Sequence, residues 1–222
     1  MANPSAQWEA GHPWAAVYDF FVEREPLARV AGRLAFGTDT RLLYRAIDSI
    51  GELPDGSAVL DIPVGGGVAL RGLAGRRKQL RYVGADISPD MLERTRRVAR
   101  ERGLEDQVEL VRADVEKLPF DDGEFDLVLS LAGLHCFPDP EAAVHEVARV
   151  VKPGGRFAGS VFLTGTGLRY VPGVIGGRLV GVMGPSGSRA DLDRWLHDAG
   201  FRAVRIDLSG AIGYFTATKP SR

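Results

Sequence analysis

From residue 56 onward, apolar and polar positions alternate between two rhythms. Short, almost wholly apolar runs recur: Ala58-Val59-Leu60, Tyr82-Val83-Gly84-Ala85, Val108–Val111, Phe125–Leu129 and Arg156–Phe162. They have the length and composition of strands buried on both faces. Between them apolar residues return at helical spacing. Ser88-Pro89-Asp90 opens one such helix with a hydroxyl N-cap, a proline at the first helical position and an acid in the first turn. Met91, Leu92, Thr95, Val98 and Ala99 form its apolar stripe, and Gly103 stops it. Asp139-Pro140-Glu141 opens another, which ends near Pro153-Gly154-Gly155. Ser188-Arg189-Ala190-Asp191 resembles a capping box at the head of a helix to Ala199, closed by Gly200. A further helix is expected after the glycines Gly65-Gly66-Gly67. The runs Ala203–Leu208 and Tyr214–Thr218 read as a terminal antiparallel pair.

This alternation predicts an α/β fold: a Rossmann-like, doubly wound, seven-stranded sheet, mostly parallel, with right-handed crossovers and the antiparallel pair at its end. Residues 1–55 form an N-terminal helical cap segment, with helix-like stretches at Trp14–Val22 and Thr40–Ile50, and residues 56–222 a single domain. The stretch at about 163–187, rich in glycine and aliphatics, reads as a lid-like insertion over a hydrophobic partner. A packed loop or a dimer contact is the other reading, and the oligomeric state stays open.

Composition narrows the classes. The chain has 222 residues, 45% hydrophobic and 26% charged, ordinary globular values. A formal net charge of −1 leaves no basic excess to neutralise a phosphate backbone, so nucleic acid is not the expected partner. The one basic run, Arg76–Lys78, reads as a solvated loop. Cys136, the single cysteine, has no internal disulfide partner and supplies no metal cluster, which fits a reducing compartment. No signal-peptide pattern and no apolar run of about 20 residues occurs, so a cytoplasmic location without a membrane span is expected. No metal constellation stands out.

The strongest local signal is Val59-Leu60-Asp61-Ile62-Pro63-Val64-Gly65-Gly66-Gly67, a buried strand that ends in an acid and runs through glycines. In open parallel sheets ligands collect at the carboxyl ends of the strands. Glycine there reaches positive φ and lets a ligand approach the backbone. A tight turn with no ligand explains the glycines equally well when they are taken alone. Asp86 follows the second strand, however, where a carboxylate can accept hydrogen bonds from both ribose hydroxyls. Asp114, in Ala113-Asp114-Val115, follows the third, where it could accept a bond from an adenine amino group while the Val115 amide meets a ring nitrogen. Three acids at successive strand ends are harder to explain as separate loop acids.

With Gly84-Ala85-Asp86-Ile87-Ser88, Phe125-Asp126-Leu127-Val128-Leu129-Ser130 and Val151-Lys152-Pro153-Gly154-Gly155, this ordered set resembles the motifs of class I S-adenosyl-L-methionine (SAM)-dependent methyltransferases. The group typified by ubiquinone and menaquinone biosynthesis enzymes is the nearest in flavour. The resemblance covers roughly Ser57 to Val161 and implies SAM as cofactor. It implies that Asp61, Gly65 and Gly67 lie beneath the methionine portion and that Asp86 holds the ribose. Ile87 and Met91 would flank the adenine, Asp114 and Val115 read its edge, and Ser130 and Leu131 lie beside the sulfonium. Tyr18 is a candidate for closing over the amino-acid end, with helix packing as its alternative. The family's glycine motif has glycine where this chain has Pro63, which fixes φ and removes one amide donor.

Methyl transfer from a sulfonium needs an in-line nucleophile and a dry site. An oxygen acceptor would also benefit from a base. His135, on the stretch Ser130–His135 past the fourth strand, is the catalytic candidate; a wall residue bonded to backbone is the other reading. His145 and His197 read as structural or solvated, and His12 lies in the terminal segment. The function expected is methylation of a small, hydrophobic acceptor. A nicotinamide-dependent oxidoreductase is the rival enzyme, although Gly65-Gly66-Gly67 lacks the usual GxGxxG phasing. A noncatalytic SAM-binding protein is the third reading.

Overall fold

The computed structural model describes residues 30, 32–34, 36–73, 79–179 and 183–221. Tyr18, His12, the stretch Trp14–Val22 and the basic run Arg76–Lys78 lie outside the described residues. Seven strands form one sheet: β1 (Ala58–Asp61), β2 (Arg81–Asp86), β3 (Val108–Arg112), β4 (Phe125–Leu131), β5 (Val151–Phe162), β6 (Arg202–Ser209) and β7 (Ile212–Thr218). Their order is β3-β2-β1-β4-β5-β7-β6. The first five run parallel, while β7 pairs antiparallel with β5 and with β6. The fold class read from the sequence is therefore the one observed.

Among the described residues there are five α-helices: α1 (Arg41–Asp48), α2 (Pro89–Glu101), α3 (Pro140–Val150), α4 (Val171–Leu179) and α5 (Arg189–Asp198). Strand alternation sorts the core into two layers. Leu60, Val83 and Val128 face one side, where Val144 and Val147 of α3 and Leu192, Trp195 and Leu196 of α5 cover them. Val59, Tyr82, Leu127 and Leu129 face the other, against Leu43, Tyr44 and Ile47 of α1 and Val98 and Ala99 of α2. Burial on both faces is why β1 carries no exposed position.

The helix starts follow local chemistry. Ser188 accepts a bond from the Asp191 amide at 3.2 Å while Asp191 Oδ2 accepts one from the Ser188 amide at 2.8 Å, a complete capping box for α5. Asp139 Oδ1 accepts from the Ala142 amide at 2.9 Å and caps α3. Ser88 occupies the N-cap of α2 with Pro89 behind it, but its hydroxyl makes no capping bond. Asp86 Oδ1 instead accepts the Ser88 amide at 2.9 Å.

Two expectations are corrected. The glycine run does not lead directly into an α-helix; a short 3₁₀ turn, Val68–Gly72, follows it. Gly72 fits there because a side-chain carbon would sit 2.8 Å from Ile50 Cδ1 and 2.9 Å from the Ile47 carbonyl, so the turn lies tight against the end of α1. The fifth strand begins at Val151 rather than Arg156, since α3 ends at Val150 and Val151 already pairs with Phe125. Lys219 Nζ donates to the Ala148 carbonyl at 2.7 Å and the Val151 carbonyl at 2.8 Å, which fastens that junction.

Candidate active site

The site is built where β1, β2 and β4 end side by side. β1 stops at Asp61, whose side chain is almost fully enclosed at 1% exposure. The Tyr82 hydroxyl donates to Asp61 Oδ2 at 2.6 Å, and Oδ1 has no hydrogen-bond partner among the described residues. Burial pushes this carboxyl up to about 7; the Tyr82 bond opposes the shift and the nearby charge of Asp86 adds to it. Burial also pushes the Tyr82 hydroxyl upward.

Backbone bonds strap the glycine loop across the sheet edge. The Ile62 amide donates to the Leu129 carbonyl at 2.9 Å, and the Val64 amide to the Ala85 carbonyl at 2.8 Å. Gly65, at φ +53, donates its N–H to Asp86 Oδ2 at 3.0 Å, and its carbonyl accepts from Thr95 Oγ1 at 2.6 Å. A side-chain carbon added at Gly65 would meet nothing within 4 Å, so open space lies on that side of the loop. At Gly67, at φ +81, the same carbon would press on Thr95 at 3.2 Å. Glycine serves conformation at the first position, and both conformation and packing at the second.

Pro63 is accommodated from across the edge. A side-chain carbon at Gly133 would lie 2.3 Å from Pro63 Cδ and 2.5 Å from Ser130 Oγ, so Gly133 leaves room for the ring and brings Pro63, Ser130 and Gly133 together. Ser130 Oγ is buried without a hydrogen-bond partner among the described residues. Leu131, also buried, is followed by Ala132 at φ +54, a left-handed conformation uncommon outside glycine. The Ala132 amide is held by the Ser160 carbonyl at 2.9 Å and the Ser160 hydroxyl at 3.0 Å.

Asp86 is the hub. Its two carboxylate oxygens accept the Gly65 and Ser88 amides, and its own carbonyl accepts the Ala113 amide at 3.1 Å, which joins the end of β3 to the site. Ile87, beside it, takes a bond from Arg112 Nε at 3.2 Å, and Met91 is buried in the first turn of α2. Asp114 is exposed beyond β3, and its Oδ1 accepts the Glu116 amide at 3.0 Å; Val115 is buried. Gly65 is thus bonded to Asp86, Pro63 and Ser130 meet at Gly133, and Asp61 closes the strand next to that of Asp86, with Asp114 and Val115 beyond the adjoining strand β3.

His135 sits apart from the carboxylates, against Phe162 with ring centroids 6.1 Å apart. Its Nδ1 accepts the Phe162 amide at 3.2 Å, and the Gly184 amide donates to its carbonyl at 2.7 Å. A backbone N–H can only donate, so the proton of the neutral ring lies on Nε2. Burial lowers the ring to about 4, so it stays neutral at physiological pH. Cys136, next to it, is pushed up to about 12 by burial and is no thiolate.

The sequence reading missed Tyr82 and Thr95 as site residues, although a tyrosine hydroxyl inside an apolar strand signals a buried partner. Gly133 carried no signal, because its role depends on a fold contact with Pro63.

These residues fit a cationic adenosyl ligand. Two enclosed carboxylates flank an open glycine loop, and two buried oxygens there, Asp61 Oδ1 and Ser130 Oγ, lack partners. Among the described residues no group of three or more His, Cys, Asp or Glu could hold a metal ion, and no helix is long and apolar enough to cross a membrane.

The sheet is doubly wound, with an antiparallel strand between its last two, the fold also seen in solved methyltransferase structures. Residues 60–159 match the family described as Methyltransferase domain. The chain is 42% identical over 124 residues to the demethylmenaquinone methyltransferase of Thermus thermophilus, covering 55% of this chain and 54% of that protein. It is 34% identical over 160 residues to the ubiquinone/menaquinone biosynthesis C-methyltransferase of Shewanella piezotolerans, covering 70% and 59%. The chain thus spans little more than half the length of these curated relatives. In fold it superposes with a TM-score of 0.71, at 21% identity, on the methyltransferase solved in complex with the Haloferax volcanii Trm112 activator, covering 96% of this chain and 98% of that one.

Proposed function

We propose that this chain transfers a methyl group from SAM to a small, hydrophobic acceptor of the quinone type. The Gly65–Asp86 hydrogen bond, with the buried Asp61 at the end of the neighbouring strand, carries the reading. The names of the Thermus and Shewanella relatives support the acceptor class. So do the exposed apolar side chains of Leu168, Val171, Ile175 and Leu179 on and just before α4.

In this reading Asp61, Pro63, Gly65 and Gly67 take the methionine portion, with Tyr18 as a candidate cover. Asp86, at the end of β2, takes the ribose through its carboxylate, which the Gly65 and Ser88 amides orient. Ile87 and Met91 flank the adenine, Asp114 and Val115 read its edge, and Ser130 and Leu131 border the reacting centre. A bound sulfonium supplies an activated methyl group for in-line displacement. The chain's own task is then to orient the acceptor and exclude water, worth an effective molarity of about 10⁵ M or more. His135 presents Nε2–H, with its Nδ1 lone pair already engaged by Phe162. We therefore assign it the wall role, a fixed donor to an acceptor oxygen, rather than the base.

The test is an acceptor panel of quinols and related phenols monitored by S-adenosylhomocysteine release, with mass spectrometry of the product. Stabilisation by NADH and none by SAM would overturn the reading in favour of an oxidoreductase. SAM binding with no turnover across the panel would favour a noncatalytic binder.

A further inference from the structure

Tyr82 is the second residue of β2, in a position where a parallel sheet ordinarily places an aliphatic side chain. Its ring is packed in the layer beneath α1 at 1% exposure, yet its hydroxyl reaches along the strand to Asp61 Oδ2 at 2.6 Å. That bond engages one carboxylate oxygen and leaves the other, Oδ1, buried without a partner. An ionised carboxylate in that state is costly, and so is a carboxylic O–H with no acceptor. No cationic side chain pairs with Asp61 among the described residues. The ligand-free pocket is thus incomplete in a way that one positive group would satisfy.

We propose that Tyr82 is a positioning residue for the cofactor: it locks the Asp61 carboxyl so that Oδ1 faces the cationic end of SAM, and Asp61 gives up its proton to solvent as SAM binds. This rests on the SAM reading above and adds a proton to it. The proton balance is simple. The Asp61 O–H bond breaks, the proton leaves as buffer acid, and the carboxylate remains beside the ligand's positive charge. The groups around Asp61 agree on direction. Asp86, on the same strand as Tyr82, is held by the Gly65 and Ser88 amides and disfavours a second negative charge. The Cys136 thiol stays protonated, pushed up by burial and by Asp86. Arg71, on the 3₁₀ turn after the glycine loop, lies 4.0 Å over the Tyr44 ring. Burial places Asp61 near half-protonation at neutral pH, with Tyr82 holding it down from a higher value.

Calorimetric titration of the full chain with SAM, in buffers of different ionisation enthalpy, counts the protons released. Wild type should release on the order of half a proton at pH 7, more at pH 6 and almost none at pH 9. Tyr82→Phe keeps the ring and removes the donor. Its release at pH 7 should rise toward one proton, and the acid limb of SAM affinity should move upward by about one pH unit, roughly fivefold weaker binding at pH 7 with little change at pH 9. Asp61→Asn should release none, and adding Tyr82→Phe to it should leave the pH profile unchanged. SAM binding without proton release in wild type overturns the proposal while leaving the SAM reading intact. So does a Tyr82→Phe profile identical to wild type, or a further profile change in the double variant. Failure of wild type to bind SAM at any pH between 6 and 9 overturns the SAM reading itself. Should Tyr82→Phe not fold, the Asp61→Asn comparison still decides whether Asp61 is the proton's source.

Discussion

Asp86 combines ligand-facing and structural work in one side chain. It braces the glycine loop through Gly65 and the head of α2 through Ser88, and in our reading it also receives the ribose. Asp86→Ala should weaken SAM by about 1.5–3 kcal/mol, checked by calorimetry, because charge-assisted bonds are lost. It should also lower the melting temperature, since two amides lose their acceptor. His135→Ala should reduce turnover while leaving SAM affinity near normal, in single-turnover and binding assays run side by side. Replacement by glutamine, which keeps a donor, should recover part of the rate; a base could not be rescued so. The three acids were legible because each closes an apolar run. Tyr82, Thr95 and Gly133 were not, because their partners are set by crossovers that bring distant segments together. A hydroxyl inside a buried strand was the one clue, and it names a need without naming the group that meets it.

At the scale of elements, the capping box of α5 sets where that helix begins. Ser188→Ala should cost about 1 kcal/mol of stability, up to ~2, in urea unfolding. Gly133→Ala should cost more and act at the site, because the new methyl group collides with Pro63 and Ser130. Its signature would be weakened SAM binding together with a lowered unfolding midpoint, whereas Ser188→Ala should leave binding alone. Helix starts were readable from caps and strands from apolar runs, since both are dictated by neighbouring residues. The 3₁₀ turn after the glycines was not, because α1 packing against Gly72 sets that geometry. Nor was the early start of β5 at Val151, which depends on its register with Phe125 in β4 and on Lys219 from the far end of the chain.

For the molecule as a whole, two buried groups pull stability in opposite directions with pH. His135 is depressed from 6.5 to about 4, so its contribution is present above pH 6.5 and is lost as pH falls toward 4. Asp61 is raised from 3.8 to about 7, so its contribution is present below pH 3.8 and is lost as pH rises through 7. The ligand-free protein should therefore lose stability on the alkaline side, where SAM supplies the missing counter-charge. Thermal melts should show the SAM-induced rise growing between pH 5 and pH 8. Asp61→Asn should melt higher than wild type at pH 8 without ligand, by roughly 5 °C, and gain less from SAM.

The strand order also governs how the chain is made. β6 leaves the ribosome before β7, yet among the described residues β7 is its only neighbour in the sheet. During translation β6 must wait, and one side of β5 stays bare, until the last few residues of the fold emerge. A nascent chain stalled or cleaved before Ile212 would display that bare side to other chains, a route to aggregation.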